Sequence, residues 1–102
     1  MKKLILALAL VISFSVSADE KGELCGMLTT HAAQIVVYER HCGVQGYMLD
    51  RTTERMAVIN CPKPTAEARD EAYRREQLSF DNLLHNDPNL CRSALAKDVI
   101  GY

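Results

Sequence analysis

The stretch from Leu24 to Gly43, LCGMLTTHAAQIVVYERHCG, decides the fold. Leu24, Leu28, Ala32, Ile35 and Tyr38 recur at spacings of three and four, which puts them on one face of an α-helix. The pattern predicts a first helix near residues 23–41 with that face in the core. Gly43 and Gly46 break it. Cysteines stand near both ends of the stretch, at Cys25 and Cys42. A continuous helix holds two residues at that spacing about 25 Å apart, whereas bridged Cα atoms lie within about 7 Å of each other. These two cysteines are therefore not expected to pair.

Downstream, residues 47–59 predict a second, shorter helix with Tyr47, Leu49, Met56, Val58 and Ile59 as its apolar content. The Thr52-Thr53 pair works against it, because β-branched side chains lose rotamer freedom in a helix. Asn60-Cys61-Pro62-Lys63-Pro64 reads as a stiff loop, since proline is not tolerated in a helix interior. Thr65 is a good N-cap, and Glu67 places an acid in the first turn, where the helix dipole favours it. The third helix is predicted over residues 66–85, with Tyr73, Phe80, Leu83 and Leu84 buried. Its outer face pairs Asp70 with Arg74 and Glu71 with Arg75, acid first, one turn apart. Asp87-Pro88 is expected to open a fourth helix as N-cap and first helical residue. Cys91, Ala94, Leu95 and Val99 would line one side of it, and Gly101 would end it.

No stretch alternates as a strand does, so the expected fold is a small all-α, four-helix, disulfide-stapled domain. Cys61 and Cys91 flank the third helix and are disfavoured as a pair for the same reason as Cys25 and Cys42. Two connectivities remain open. Cys25–Cys61 with Cys42–Cys91 suits an up-down-up-down arrangement and is preferred over Cys25–Cys91 with Cys42–Cys61.

Upstream, Lys2 and Lys3 precede an apolar run from Leu4 to Val16, and Val16-Ser17-Ala18 supplies small residues before a cut. That is the layout of a bacterial secretory signal peptide, expected to occupy residues 1–18 and to be removed. The run falls short of the about 20 apolar residues of a membrane-spanning helix, and Cys25 lies too far from the small-residue box for a lipid anchor. The expected mature domain is residues 19–102. Taking 18 residues from 102 leaves 84, and taking Lys2 and Lys3 from 12 basic residues leaves 10 against 13 acids, a net charge of −3. Nucleic acid and anionic membrane are thereby disfavoured as partners, because both call for a basic face. Four cysteines in so short an exported chain read as two disulfides. The expected location is the periplasm, with secretion beyond the outer membrane left open.

Catalytic signals are thin. His41 and Cys42 are adjacent, but an even cysteine count in an oxidising compartment makes Cys42 a disulfide half rather than a free nucleophile. His31, His41 and His85 form no short-spaced metal pair, and oxidised cysteines cannot ligate. Ser79 and Ser93 lack the strand-to-helix elbow of a hydrolase nucleophile. The expectation is a non-enzyme without metal or cofactor. The segment Gly43-Val44-Gln45-Gly46-Tyr47-Met48-Leu49-Asp50 carries an aromatic, a methionine and an acid on a turn. Tyrosine is favoured at protein interfaces, so Gly46, Tyr47, Asp50 and Arg51 are candidates for partner binding. The alternative is that Tyr47 staples the start of the second helix into the core.

The chain also resembles the periplasmic immunity proteins that protect bacteria from type VI secretion peptidoglycan amidases. The resemblance rests on Leu24-Cys25, on Cys42 with Gly46-Tyr47 and Asp50, on Cys61-Pro62 with Thr65, and on Leu84, Asp87-Pro88, Leu95, Ala96 and Val99-Ile100. The Gly-Tyr pair lies four residues after Cys42 rather than two, and the family's C-terminal cysteine is replaced by the earlier Cys91. The resemblance implies a helical protein, often a homodimer, that blocks a peptidoglycan amidase by binding at or near its cleft. The competing expectations are an inhibitor of another cell-wall hydrolase, a periplasmic stress or chaperone-like protein loosened by acid, and a helical protein that binds some other ligand.

Overall fold

The computed structural model describes residues 2–102, with side chains from residue 20 onward. The expected signal peptide, residues 1–18, lies outside the described side chains. Among the described residues there are four α-helices and one short 3-10 turn: α1 (Lys2–Cys42), α2 (Met48–Ile59), α3 (Ala66–Asn86), the turn Leu90–Arg92, and α4 (Ala94–Ile100). There is no strand among the described residues, and the fold is all-α and stapled by disulfides.

Helix α1 is the hub, since α2, α3 and α4 each pack against it. This explains a difference from the sequence reading. A helix with neighbours on several sides buries more than one stripe, so Cys25, Ala33 and Val37 are buried along with Leu28, Ile35 and Tyr38. Leu24 is exposed. The expected boundary near residue 23 is not a helix end, because helical backbone runs through Gly22 and Gly26.

Helix α3 departs from expectation in a similar way. Phe80 is fully buried, with its ring edge-on to Tyr38 at 4.9 Å between centroids. Tyr73 is half-buried, whereas Leu83 and Leu84 are exposed. Thr65 caps the helix, its hydroxyl accepting from the Ala68 amide at 3.1 Å. Of the two expected ion pairs, Arg75–Glu71 forms at 2.9 Å, and Asp70 and Arg74 make none among the described residues.

The fourth helix does not begin at Asp87-Pro88. Asp87 instead ends α3, and its carboxylate accepts from the Asn89 amide at 3.0 Å. That Asx-type turn uses the side chain a helix N-cap would need. Ser93 takes over, accepting from the Ala96 amide at 3.2 Å, so α4 is only seven residues long. The side that faces inward also differs. Ala96, Val99 and Ile100 are buried, while Ala94 and the expected core residue Leu95 are exposed.

Cys25 is bonded to Cys61, with Cα atoms 5.6 Å apart, and Cys42 to Cys91, with Cα atoms 5.4 Å apart. One bridge ties the middle of α1 to the loop after α2, and the other ties its C-terminal end to the turn before α4. Two bonded pairs fit an oxidising compartment outside the reducing cytosol. Among the described residues no helix is long and apolar enough to cross a membrane.

Candidate functional site

The four residues singled out from the sequence do not form one patch. Gly46 is part of a joint. A Cβ there would fall 2.5 Å from the Gly101 carbonyl oxygen and closer still to that of Ile100. Only glycine lets the chain entering α2 lie against the end of α4 this closely. The Tyr47 amide then donates to the Gly101 carbonyl at 3.1 Å. Gly101 can end α4 at this point because it adopts φ +81°, a conformation that favours glycine.

Tyr47 does not plug the core. Its side chain is 54% exposed, and the Arg51 guanidinium lies 5.2 Å from its ring centroid. That is cation–π distance. The one-turn spacing along α2 brings the pair together, and the contact holds both side chains outward. Asp50 points elsewhere. It sits near enough to Glu39 of α1 to act on its carboxyl, which burial and then the Asp50 charge raise above the ordinary carboxylate range. Asp50 also occupies the first turn of α2, where an acid favours the helix N-terminus.

Following α2 onward from Tyr47 and Arg51 leads to residues that the sequence reading missed. Arg55 is exposed one turn beyond Arg51, and Val58 is 84% exposed although it was expected among the apolar content of the helix. Together with Leu28 and His31 of α1 and with Met48, Thr52 and Glu54, Arg51, Arg55 and Val58 line an open groove of about 450 Å³. Leu28 and Thr52 are its buried residues. The Thr52 hydroxyl donates back to the Met48 carbonyl at 2.8 Å, so a polar side chain is satisfied inside the packed interface. Thr53 does the same on the exposed side, donating to the Asp50 carbonyl at 2.9 Å. The threonine pair that argued against this helix is thus bonded to its backbone. The stripe could have been found by counting turns from Tyr47. It was hidden because Val58 reads as core in any hydropathy pattern.

A second polar region lies between α1 and α3. The Glu76 carboxyl is half-buried and is raised by desolvation, an effect partly offset by nearby His31. Burial, reinforced by the Glu76 charge, pushes the Tyr38 phenol up as well. The Tyr38 hydroxyl is buried without a hydrogen-bond partner, since Gln34 approaches it without bonding geometry. His41 is exposed. Its ring stacks on Phe80 at 4.8 Å, and its Nε2 is 2.9 Å from Gln77 Oε1. Gln77 in turn donates to Asp81 at 3.1 Å. This relay has no nucleophile on it, because Cys42, its neighbour in sequence, is bonded to Cys91 and no cysteine is free. Among the described residues no group of three or more His, Cys, Asp or Glu side chains is placed to hold a metal.

The site with the most developed surface chemistry is therefore the outer face of α2, an aromatic–cation pair followed by a second arginine and an exposed valine. No protein-family model, curated protein or solved structure matches this chain.

Proposed function

We propose that this chain is an exported, non-enzymatic interaction protein that binds and inhibits a cell-wall-degrading enzyme, as an immunity protein does against an effector. The observation that carries the reading is the Tyr47–Arg51 pair. A tyrosine half in solvent, held against an arginine on a helix clamped near both its ends, is a preorganised contact surface. Tyrosine and arginine are the residue types that dominate binding hot spots, and ordering them before contact reduces the entropy lost on binding. The signal-peptide-like N-terminus and the two disulfides suit a periplasmic site of action, where such enzymes meet peptidoglycan. The cysteine, Gly-Tyr and Cys-Pro spacing gives the same direction and favours a peptidoglycan amidase as the target.

The test is a reconstitution. Purified oxidised protein is added to candidate peptidoglycan hydrolases from contact-dependent secretion, and release of soluble muropeptides is followed. The expected result is full inhibition of one of them at a one-to-one ratio. Activity of every hydrolase unchanged at a tenfold excess of the protein would contradict the reading.

The acid-responsive chaperone reading finds less support. The raised carboxyls of Glu39 and Glu76 take up protons more readily in the folded than in the unfolded chain. At these two groups acidification stabilises the fold rather than loosening it.

A further inference from the structure

We propose that the groove between α1 and α2 docks a carboxylate-bearing segment of a partner protein, with Arg51 and Arg55 gripping its acids and the apolar floor seating an adjacent aliphatic side chain. The proposal rests on the interaction reading above and names the chemistry of the partner.

Three observations carry it. Arg51 and Arg55 stand one turn apart on α2, a spacing at which like charges repel. Among the described residues neither has a carboxylate within ion-pairing distance, although Glu54 lies between them in sequence and on the same groove. His31, which also lies near Glu76 of α3, stands on the opposite wall and offers a polar ring rather than a third cation. The protein thus concentrates cationic groups on one groove while its 13 acids outnumber its 12 lysines and arginines overall.

The second observation is the Arg51 guanidinium over the Tyr47 ring, 5.2 Å from its centroid. A guanidinium laid over a ring keeps its N–H edge free, and that edge forks onto a carboxylate through two parallel hydrogen bonds. The third is the floor. Leu28 is buried on the α1 wall, Met48 is half-buried at the start of α2, and Val58 stands exposed towards the far end of α2. A ligand that offered only charge would leave this surface wet, whereas a peptide with an aliphatic residue next to an acid covers both. Charge complementarity and the mixed lining together favour a protein segment over a phosphate polymer, which has no apolar side chain to place there.

The experiment is a selection from a displayed library of random twelve-residue peptides on the oxidised protein, followed by affinity measurement on the native chain and on the double variant Arg51→Gln/Arg55→Gln. The variant loses the Arg51–Tyr47 contact and is relieved of a repulsive pair, two small surface effects of opposite sign, so its melting temperature should change little and loss of folding is not expected to confound the result. The expected outcome is a set of peptides carrying Asp or Glu beside Leu, Ile or Val. They should bind the variant roughly tenfold or more weakly, and the native chain less well as salt is raised. Val58→Asp, which keeps both arginines, should weaken the same peptides. Peptides that bind native and variant chains equally would overturn this site and leave the interaction reading standing. So would retention of the native chain, but not the variant, on phosphatidylglycerol vesicles when no peptide is selected, because the groove would then face lipid. The interaction reading itself falls only if the hydrolase reconstitution also fails.

Discussion

Gly46 and Glu76 show how much of this fold turns on single side chains. At Gly46 the missing Cβ is what allows the backbone to meet the carbonyls of Ile100 and Gly101. Gly46→Ala must move backbone rather than a flexible side chain, so it should cost about 1–3 kcal/mol. Urea denaturation of the purified variant reads this directly, and an unchanged midpoint would mean the joint opens without cost. Glu76 gives a pH dependence of defined sign. Its carboxyl is raised on folding, so its contribution favours the fold below the ordinary carboxylate range and is lost as pH rises through its raised value. Glu76→Gln should therefore raise the melting temperature at neutral pH and reduce the fall in stability between mildly acidic and neutral pH. Parallel melts of variant and parent across that range check it, and parallel curves of unchanged offset would contradict it.

At the level of elements, helices α2 and α3 were legible because their signals are local. Thr65 and the two prolines before it mark the start of α3, and the cap bond to Ala68 forms as the residue types require. Helix α4 was misread because two serviceable N-caps, Asp87 and Ser93, lie six residues apart and the sequence does not say which one the backbone uses. Tertiary packing decides it, with Ala96, Val99 and Ile100 turned inward. Ser93→Ala should accordingly cost about 1 kcal/mol, whereas Asp87→Ala should leave α4 intact. Backbone amide exchange at residues 94–100 distinguishes the two. Faster exchange in the Asp87 variant than in the Ser93 variant would restore the original reading. The α2 face was half legible. Tyr47 and Arg51 stand out as residue types, but Arg55 and Val58 join them only once the helix phase and the position of α1 are known. Hydropathy alone assigns Val58 to the core, and what exposes it is the lack of a neighbouring helix on that side.

Across the whole molecule the two disulfides matter more than any single contact. Each bridge closes a long segment, with sequence separations of 36 and 49 residues. In the chain-entropy account such loops contribute about 4 kcal/mol apiece, a large share of the stability of a domain this small. Replacing Cys42 and Cys91 together by alanine should lower stability by about 2–4 kcal/mol, with little change in helix content under strongly native conditions. Circular dichroism with urea titration measures both, and an unchanged midpoint would show that the helical core alone suffices. The clamp bears on the proposed contact surface as well. Cys25–Cys61 anchors the chain after α2, and Gly46 pins the chain before it, so the outer face of α2 is presented on a fixed element.

The claim that this surface protects its owner by binding a cell-wall hydrolase is tested most directly by competition on solid medium. The parent strain is set against a strain lacking only this gene, with a rescue arm that carries Arg51→Gln/Arg55→Gln. The account predicts that the deletion strain lyses or is outcompeted, recovers when the attacker's secretion system is disabled, and is rescued by the native gene but poorly by the double variant. Equal fitness of parent and deletion strains while that secretion system is firing would contradict it.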